Sequence, residues 1–165
     1  MVSRSSASRK STSPNGDLAE PAHVLIIEAR FYADIADAMA AGAVAALKKA
    51  GATYERVTVP GAFELPAALR MAIDSGRYHG YVALGCVIRG ETSHYDIVCN
   101  EAAGGLGRLA VVEGIALGFG LLTCDTDKQA WDRADPKRQD KGGDAARACL
   151  AMIALKRKLA GAHLR

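Results

Sequence analysis

The sequence has no pair of closely spaced cysteines. Its four cysteines stand 13, 25 and 25 residues apart, each within an apolar stretch. Zinc sites and dithiol redox sites need cysteines separated by only a few residues, so this spacing argues against both. We expect buried free thiols in a protein of the reducing cytoplasm. The four are Cys86, Cys99, Cys124 and Cys149.

A long apolar run and a basic surface are also missing. No apolar segment approaches the ~20 residues that span a membrane. Basic residues exceed acidic ones by three, and the excess lies in residues 1–16, which contain Arg4, Arg9 and Lys10 but no acidic residue. We therefore expect no membrane insertion and no nucleic-acid partner, because nucleic-acid binding needs a clustered basic face.

Residues 1–16 contain almost no large apolar side chains. A segment rich in serine, threonine and arginine cannot offset the entropy of ordering by burial, so we expect a disordered tail. A transit peptide has a similar composition but would show the regular apolar positions of an amphipathic helix. Half of the 165 residues are hydrophobic, which fits one compact domain over residues 17–165.

Short apolar runs alternate with helical patterns along this domain. The runs predict strands at 23–29, 54–59, 81–88 and 115–123, and the spacing predicts helices at 34–49, 64–75, from about 93, at 127–134 and from about 144. Strands that alternate with helices indicate the α/β class, with a parallel sheet between two helical layers.

Apolar positions predict which helical faces pack on the core. In the third helix these are Val98, Ala102, Leu106 and Leu109, and in the last helix they are Ala148, Met152, Leu155 and Leu159. Three glycines in the third helix, each costing about 1 kcal/mol relative to alanine, predict close packing there. They are Gly104, Gly105 and Gly107.

Residues 81–101, YVALGCVIRGETSHYDIVCNE, predict a buried strand, a loop and the start of a helix. Gly90 supplies the turn, either Thr92 or Ser93 can cap the helix, and His94 falls in the first helical turn. The carboxyl end of a parallel strand is where ligands bind, and free N–H groups at a helix start favour an anion. His94 is suited to acid–base chemistry there, or it is a surface or capping histidine.

Three segments in this order resemble the signature segments of the lumazine synthase family. They are VPGAFELP at 59–66, LGCVIRGETSHYDIVCNEAA at 84–103 and FGLLTCDTDKQAWDR at 119–133. The resemblance spans roughly residues 23–159 and implies a flavodoxin-like three-layer sandwich with sheet order 2-1-3-4. It also implies condensation of 5-amino-6-(D-ribitylamino)uracil with 3,4-dihydroxy-2-butanone 4-phosphate to 6,7-dimethyl-8-ribityllumazine, with no cofactor or metal.

The resemblance implies a role for each candidate residue. His94 would transfer protons, whereas the phosphate would be held by Glu91, Thr92 and Arg133, with Lys141 as a weaker second cation. The residues implied at the pyrimidine are Phe31, Ala62, Phe63, Glu64, Cys86, Val87, Ile88 and Phe119. Without the resemblance, these residues would be interpreted as ordinary core, helix-capping or solvent-exposed residues with no functional role. His23, His79 and His163 are assigned no function.

Four of these positions carry a further expectation from their sequence context. The three phenylalanines, Phe119 among them, stand at or near predicted strand ends, where pockets form. Glu64 lies between Phe63 and Leu65, where a carboxylate would be costly if it were buried without a partner.

The resemblance further implies a homo-oligomer built on a pentamer, with Phe119 and Arg133 reaching the neighbour's active site. Residues 18–22 could add a strand to the neighbour's sheet. Capsid-forming relatives tend to carry Gly-Asn before the last helix, whereas this chain has PKRQDKG at 136–142, so we expect a free pentamer, or next a decamer, rather than a sixty-subunit shell.

Two other functions fit the same scaffold, because a fold does not determine a function. One is a non-catalytic flavin or lumazine carrier, and the other is a purely shell-forming protein. The intact GETSH segment together with Arg133 favours the enzyme, since a carrier needs neither a proton shuttle nor a phosphate clamp.

Overall fold

A computed structural model describes residues 20–161 of the chain. Within them lie the strands β1 (His23–Ala29), β2 (Thr53–Val59), β3 (Gly80–Ile88) and β4 (Ala116–Cys124), and the helices α1 (Ala33–Lys49), α2 (Leu65–Asp74), α3 (His94–Glu113), α4 (Asp127–Ala134) and α5 (Lys141–Gly161). A 3-10 turn, Ala62–Glu64, precedes α2. The predicted tail at 1–16, residues 18 and 19, and His163 lie outside the described part, and residues 20–22 form no strand in the single chain.

The four strands form one parallel sheet in the order β2-β1-β3-β4. The predicted α/β class and strand order are therefore confirmed. Strand β1 is central, since Leu25 pairs with Glu55 of β2 and with Tyr81 of β3. Parallel pairing places the carboxyl ends of the strands at one edge, where the loops that follow them meet.

The sheet separates two apolar layers. Val24 and Ile26 of β1 face α1 and α5, whereas Leu25 and Ile27 face α2 and α3. Successive side chains of a strand point to opposite faces, so a strand covered on both sides needs a continuous apolar run. This is why the run at His23–Ala29 predicted the bounds of β1 without error.

The last helix begins earlier than predicted, at Lys141 rather than near Asp144. Asp140 precedes it and accepts a hydrogen bond from the backbone N–H of Gly143 at 3.1 Å, as a capping side chain does. Gly142 lies inside the helix because α1 packs there: a Cβ at Gly142 would come within 2.0 Å of the Met39 carbonyl oxygen. Glycine is therefore required at this position by the contact between α5 and α1, and not by a turn.

The predicted core face of α5 is wrong. Met152, Leu155 and Leu159 are exposed, at 44%, 44% and 66%, and the face that packs on the sheet carries small residues instead. That buried face consists of Gly142, Gly143, Ala145, Ala146, Cys149 and Ile153. Small residues are required because α5 lies very close to β4, where a Cβ at Gly118 would meet the Ala145 carbonyl oxygen at 2.0 Å.

The glycines of α3 do not share one explanation. A Cβ at Gly105 would approach Pro66 of α2 to 2.8 Å, so the predicted close packing holds there. Gly104 and Gly107 have nothing within 4 Å of such a Cβ, and for them the prediction is wrong within the single chain. The predicted apolar stripe does face α2 and the sheet, with Ala102 and Leu106 fully buried.

All four cysteines are free thiols. Three are buried as predicted, whereas Cys99 is only half-buried. Among the helices of residues 20–161, none combines the length and apolarity needed to cross a bilayer.

Candidate active site

A cavity of about 600 Å³ opens at the carboxyl ends of β1, β2 and β3. The loop after β1, the 3-10 turn after β2, the end of β3 and the start of α3 surround it. Its lining residues are Phe31, Tyr32, Pro60, Gly61, Ala62, Phe63, Glu64, Cys86, Val87, Ile88, Gly90, Thr92, His94, Tyr95, Ile97 and Val98. Ligands of open α/β sheets bind at this edge.

The cavity collects most of the candidate residues named from the sequence. Those that line it are Phe31, Ala62, Phe63, Glu64, Cys86, Val87, Ile88, Thr92 and His94. The candidates that do not line it are Glu91, Phe119, Arg133 and Lys141. Three loop segments that are far apart in the sequence thus meet in one place, because their strands are parallel neighbours.

Two exposed phenylalanines stand at this cavity. Phe31 is 74% exposed and Phe63 is 56% exposed, although a phenylalanine is normally buried. The ring of Phe31 rests edge-on against Tyr32, with centroids 5.0 Å apart. Large apolar side chains left open beside a cavity offer area to a flat apolar ligand.

Glu64 is exposed and has a hydrogen-bond partner, so the desolvation cost considered from the sequence does not arise. Its Oε2 accepts a hydrogen bond from the backbone N–H of Gly61 at 3.0 Å. This bond closes the 3-10 turn and holds Ala62 and Phe63 at the cavity. The carboxylate therefore shapes the wall that it belongs to.

The start of α3 leaves backbone donors free beside the cavity. Ser93, in the N-cap position, makes no side-chain capping bond, and Thr92 Oγ1 accepts only a long bond of 3.4 Å from the His94 N–H. Within residues 20–161, the backbone N–H groups of residues 90–93 have no hydrogen-bond partner. Such donors, at the positive end of a 20-residue helix, are suited to an anion.

The cysteine in the cavity wall is held as a neutral thiol. The pKa of Cys86 is raised to about 12, mainly by burial and to a smaller extent by the neighbouring Cys124 thiol and Asp127. A thiolate is the nucleophilic form of cysteine, so Cys86 contributes an apolar surface and no covalent chemistry at neutral pH. Burial likewise raises the pKa of Tyr32 on the same wall.

Phe119 lies in the middle of β4 and not at a strand end, so that prediction is wrong. Strand β4 covers Ala116–Cys124, and Phe119 pairs with Ala83 well inside the sheet. Its side chain is 49% exposed because β4 is an edge strand. Phe119 is thus an apolar side chain presented outward from the subunit.

The two basic candidates, Arg133 and Lys141, do not line the cavity. Arg133 occupies the last turn of α4 and donates a hydrogen bond to the Gln129 carbonyl oxygen at 3.1 Å. Lys141 opens α5 and its Nζ lies 3.0 Å from Asp144 Oδ2. No lysine or arginine is among the cavity-lining residues that the structure describes, so one subunit supplies no cationic side chain.

Several lining residues were not predicted as site residues from the sequence. They are Tyr32, Pro60, Gly61, Gly90, Tyr95, Ile97 and Val98. Ile97 carried a usable signal, because it lies three residues after His94 and therefore on the same side of α3. Its 55% exposure is consistent with a place at the open cavity.

Comparison with known proteins identifies similar chains. A family model described as 6,7-dimethyl-8-ribityllumazine synthase matches residues 21–157. The chain is 59% identical over 145 residues to 6,7-dimethyl-8-ribityllumazine synthase 1 of Rhizobium meliloti, covering 85% of this chain and 95% of the relative. It is 56% identical over 144 residues to 6,7-dimethyl-8-ribityllumazine synthase of Agrobacterium fabrum, covering 84% and 97%.

Proposed function

The chain belongs to the 6,7-dimethyl-8-ribityllumazine synthase family, and on that premise we propose that it carries out the reaction of that name. It condenses 5-amino-6-(D-ribitylamino)uracil with 3,4-dihydroxy-2-butanone 4-phosphate, releasing phosphate and water, in riboflavin biosynthesis. The observation that carries the proposal is the cavity. An apolar wall with two open phenylalanines adjoins a helix start with free amides, which fits one flat and one phosphorylated reactant.

The pyrimidine is proposed to bind at the apolar wall. Phe31 would pack on the ring, as would Phe119 of a neighbouring subunit, while Ala62, Phe63 and Glu64 would contact the ring through backbone groups and the carboxylate. Cys86, Val87 and Ile88 at the end of β3 would contact its edge. The raised pKa of Cys86 keeps the end of β3 uncharged, which suits the edge of a neutral heterocycle.

The phosphate is proposed to bind at the start of α3. The N–H groups of Glu91 and Thr92 would donate to its oxygens, and Arg133 of a neighbouring subunit would supply the positive charge, with Lys141 as a weaker second candidate. Guanidinium suits this task because its paired donors match two phosphate oxygens. The absence of lysine and arginine among the described cavity residues supports a cation from outside the subunit.

His94 is proposed to move protons while the amine forms an imine with the ketone, phosphate leaves and the second ring closes. The histidine stands beside Thr92 in the cavity, next to the place proposed for the phosphate. Holding two intrinsically reactive molecules together is expected to contribute more than proton transfer does. The enzyme would thus work mainly by positioning.

We also propose a homo-oligomer built on a pentamer, in the cytoplasm. Large apolar side chains are exposed far from the cavity, on α3, β4 and α5, and would be covered by neighbouring subunits. They are Val111, Val112, Phe119, Met152, Leu155 and Leu159. Free thiols support the reducing compartment.

One assay tests the function directly. Purified protein is mixed with both substrates, and lumazine is followed by absorbance and fluorescence against a blank without protein. Formation well above the blank supports the enzyme. Tight binding of added lumazine without any acceleration would instead support the carrier.

A further inference from the structure

Arg89 lies between the end of β3 and the free amides of residues 90–93. Its backbone N–H donates to the Cys124 carbonyl oxygen at 2.8 Å, which extends the pairing of β3 with β4 by one residue. Its side chain lies outside the cavity lining. The residue therefore stands next to the proposed phosphate site without contacting what occupies it.

The guanidinium of Arg89 connects three parts of the fold. Its Nε donates to Asp125 Oδ1 at 2.9 Å, in the loop between β4 and α4, and its NH1 lies 3.5 Å from Asp96 Oδ1 in the first turn of α3. Its Cζ stands 4.2 Å from the centroid of the Tyr95 ring, a distance typical of a cation–π contact. One side chain thus joins the end of β3, the start of α3 and the start of α4.

Both ends of this connection reach functional positions. Tyr95 follows His94 directly and itself lines the cavity. Asp125 donates its backbone N–H to Gln129 Oε1 at 2.8 Å, which fixes the first turn of α4, and α4 carries Arg133. The four amides at 90–93 have no hydrogen bonds of their own within the described residues, so their placement depends on such flanking contacts.

We propose that Arg89 is a positioning residue that holds the amides of residues 90–93 and the first turn of α3 in the geometry that binds the phosphorylated substrate. The proposal rests on the proposed function and adds to it a residue that touches no substrate. Arginine is needed because its planar guanidinium stacks on Tyr95 while its donors reach two carboxylates, whereas a lysine ammonium cannot do both.

A role in general stability does not explain this cluster. The Arg89 side chain is 47% exposed and its acidic partners, Asp96 and Asp125, are 56% and 64% exposed. Ion pairs in such exposed positions contribute little to folding. Loss of the cluster should therefore change the loop geometry with little change in melting temperature.

The chain offers a matched control for Arg89→Lys. Arg70 of α2 is 45% exposed and also pairs with two carboxylates, Asp74 at 2.7 Å and Glu113 at 3.0 Å, away from the cavity. Arg70→Lys makes the same chemical change to a similar cluster. We expect Arg89→Lys to raise KM for the butanone phosphate about tenfold, with KM for the pyrimidine within about twofold, and Arg70→Lys to change neither.

Asp125→Asn distinguishes positioning from charge. If electrostatics alone acts, removal of this negative charge should strengthen phosphate binding. If Arg89 were a direct ligand of the phosphate, loss of its ion pair with Asp125 should strengthen phosphate binding as well. Positioning predicts the opposite, namely weaker binding. The double variant Arg89→Lys, Asp125→Asn should bind phosphate no more weakly than the weaker of the two single variants, because both changes remove the same connection between Arg89 and Asp125.

Steady-state kinetics with each substrate varied, together with titration calorimetry of inorganic phosphate, provide the measurements. Weaker phosphate binding in both single variants, with melting temperatures near wild type, supports the proposal. Unchanged phosphate affinity in Arg89→Lys, equal rises in both Michaelis constants, or tighter phosphate binding in Asp125→Asn overturns it. If wild type forms no lumazine, the proposed function fails, and the phosphate titration still decides the role of Arg89. Absence of phosphate binding to wild type overturns the proposal for Arg89, whereas the lumazine assay decides the proposed function separately.

Discussion

The carboxylate of Glu28 is paired in two places with the guanidinium of Arg56 on the neighbouring strand. Oε1 accepts from Nε at 2.5 Å and Oε2 accepts from NH2 at 3.0 Å. Glu28 is fully buried and is the one buried charged residue in the part of the chain that the structure describes. A second arginine, Arg30, lies 3.3 Å from the same carboxylate and also binds Asp37 of α1 at 2.9 Å.

Arg56→Met should destabilise the fold strongly, because it leaves a buried carboxylate with only the longer contact to Arg30. Breaking a buried pair from one side typically lowers the free energy of unfolding by about 3–5 kcal/mol, and we expect the lower end here. Urea unfolding at a fixed protein concentration measures the change, since subunit association also contributes to stability.

The control for this change is Arg77→Met. Arg77 pairs with Glu55 at 2.6 Å, but its side chain is 60% exposed, so the loss should stay under about 1 kcal/mol. Equal losses of unfolding free energy in Arg56→Met and Arg77→Met would contradict the inference that burial of Glu28 makes its ion pair more important for stability. Because Arg30 leads directly to Phe31, Arg56→Met is also expected to raise KM for the pyrimidine.

The parts of the fold that were predictable are those whose signals are local. The helix α4 had correct bounds because Thr126 caps it, accepting the Gln129 N–H at 3.2 Å, and because Pro136 follows its end. Strand β1 is buried on both faces and so has an unbroken apolar run. In both cases the residues that determine the element lie within it or next to it.

The buried face of α5 was not predictable in this way. Two stripes with helical spacing run along it, one of large residues such as Met152 and one of small residues such as Ala145. Which stripe meets the sheet depends on Gly118 of β4, which is far away in the sequence. At this glycine the helix backbone lies so close to the strand that only small side chains fit between them. The position of Phe119 at an exposed sheet edge likewise follows from the strand order, which periodicity alone does not determine.

Gly142→Ala tests the close contact between α1 and α5. The added Cβ would lie 2.0 Å from the Met39 carbonyl oxygen, and a backbone oxygen within a helix cannot move aside. We expect a loss of about 3 kcal/mol or more, at or beyond the upper end for overpacked cores. Gly161→Ala in the same helix meets nothing within 4 Å and should stay within about 0.5 kcal/mol of wild type. Similar urea midpoints for the two variants would contradict the contact.

Cys149→Ala tests the protonation of a buried thiol. Burial raises the pKa of Cys149 from 9.0 to about 12. Above about pH 9 the unfolded chain releases this proton while the native chain keeps it, so the free energy of unfolding falls as pH rises toward 12. The variant lacks this group and should lose stability less steeply, by up to about 1.4 kcal/mol per pH unit. Urea unfolding at about pH 8 and about pH 10 measures both slopes, and parallel slopes would contradict the shift.

His94→Ala should retain the fold and pyrimidine binding but lose part of its turnover. The described residues offer its imidazole no hydrogen-bond partner, so the ring contributes little to packing. Acid–base catalysis contributes about 10²–10⁴-fold in general, and we expect the lower end because positioning contributes most here. Kinetics across about pH 6 to pH 9 measure the effect, and a rate equal to wild type throughout would exclude the role.

The protein in solution should have a mass near five chains, with ten chains as the next expectation. Light scattering coupled to size-exclusion chromatography measures it directly. A mass near one chain with full activity would refute the shared active site. A mass near sixty chains would refute the inference from the segment at 136–142.

Subunit mixing tests which subunit supplies Arg133. Arg133→Ala should raise KM for the butanone phosphate much more than KM for the pyrimidine, because the lost contact is with phosphate.

When Arg133→Ala and His94→Ala chains are unfolded, mixed equally and refolded together, about one quarter of the sites in a cyclic assembly combine an intact His94 with an intact Arg133 from the neighbour. Activity should then exceed the average of the two separately refolded variants. If both residues served the cavity of their own chain, every site would keep one defect, and mixing would restore nothing.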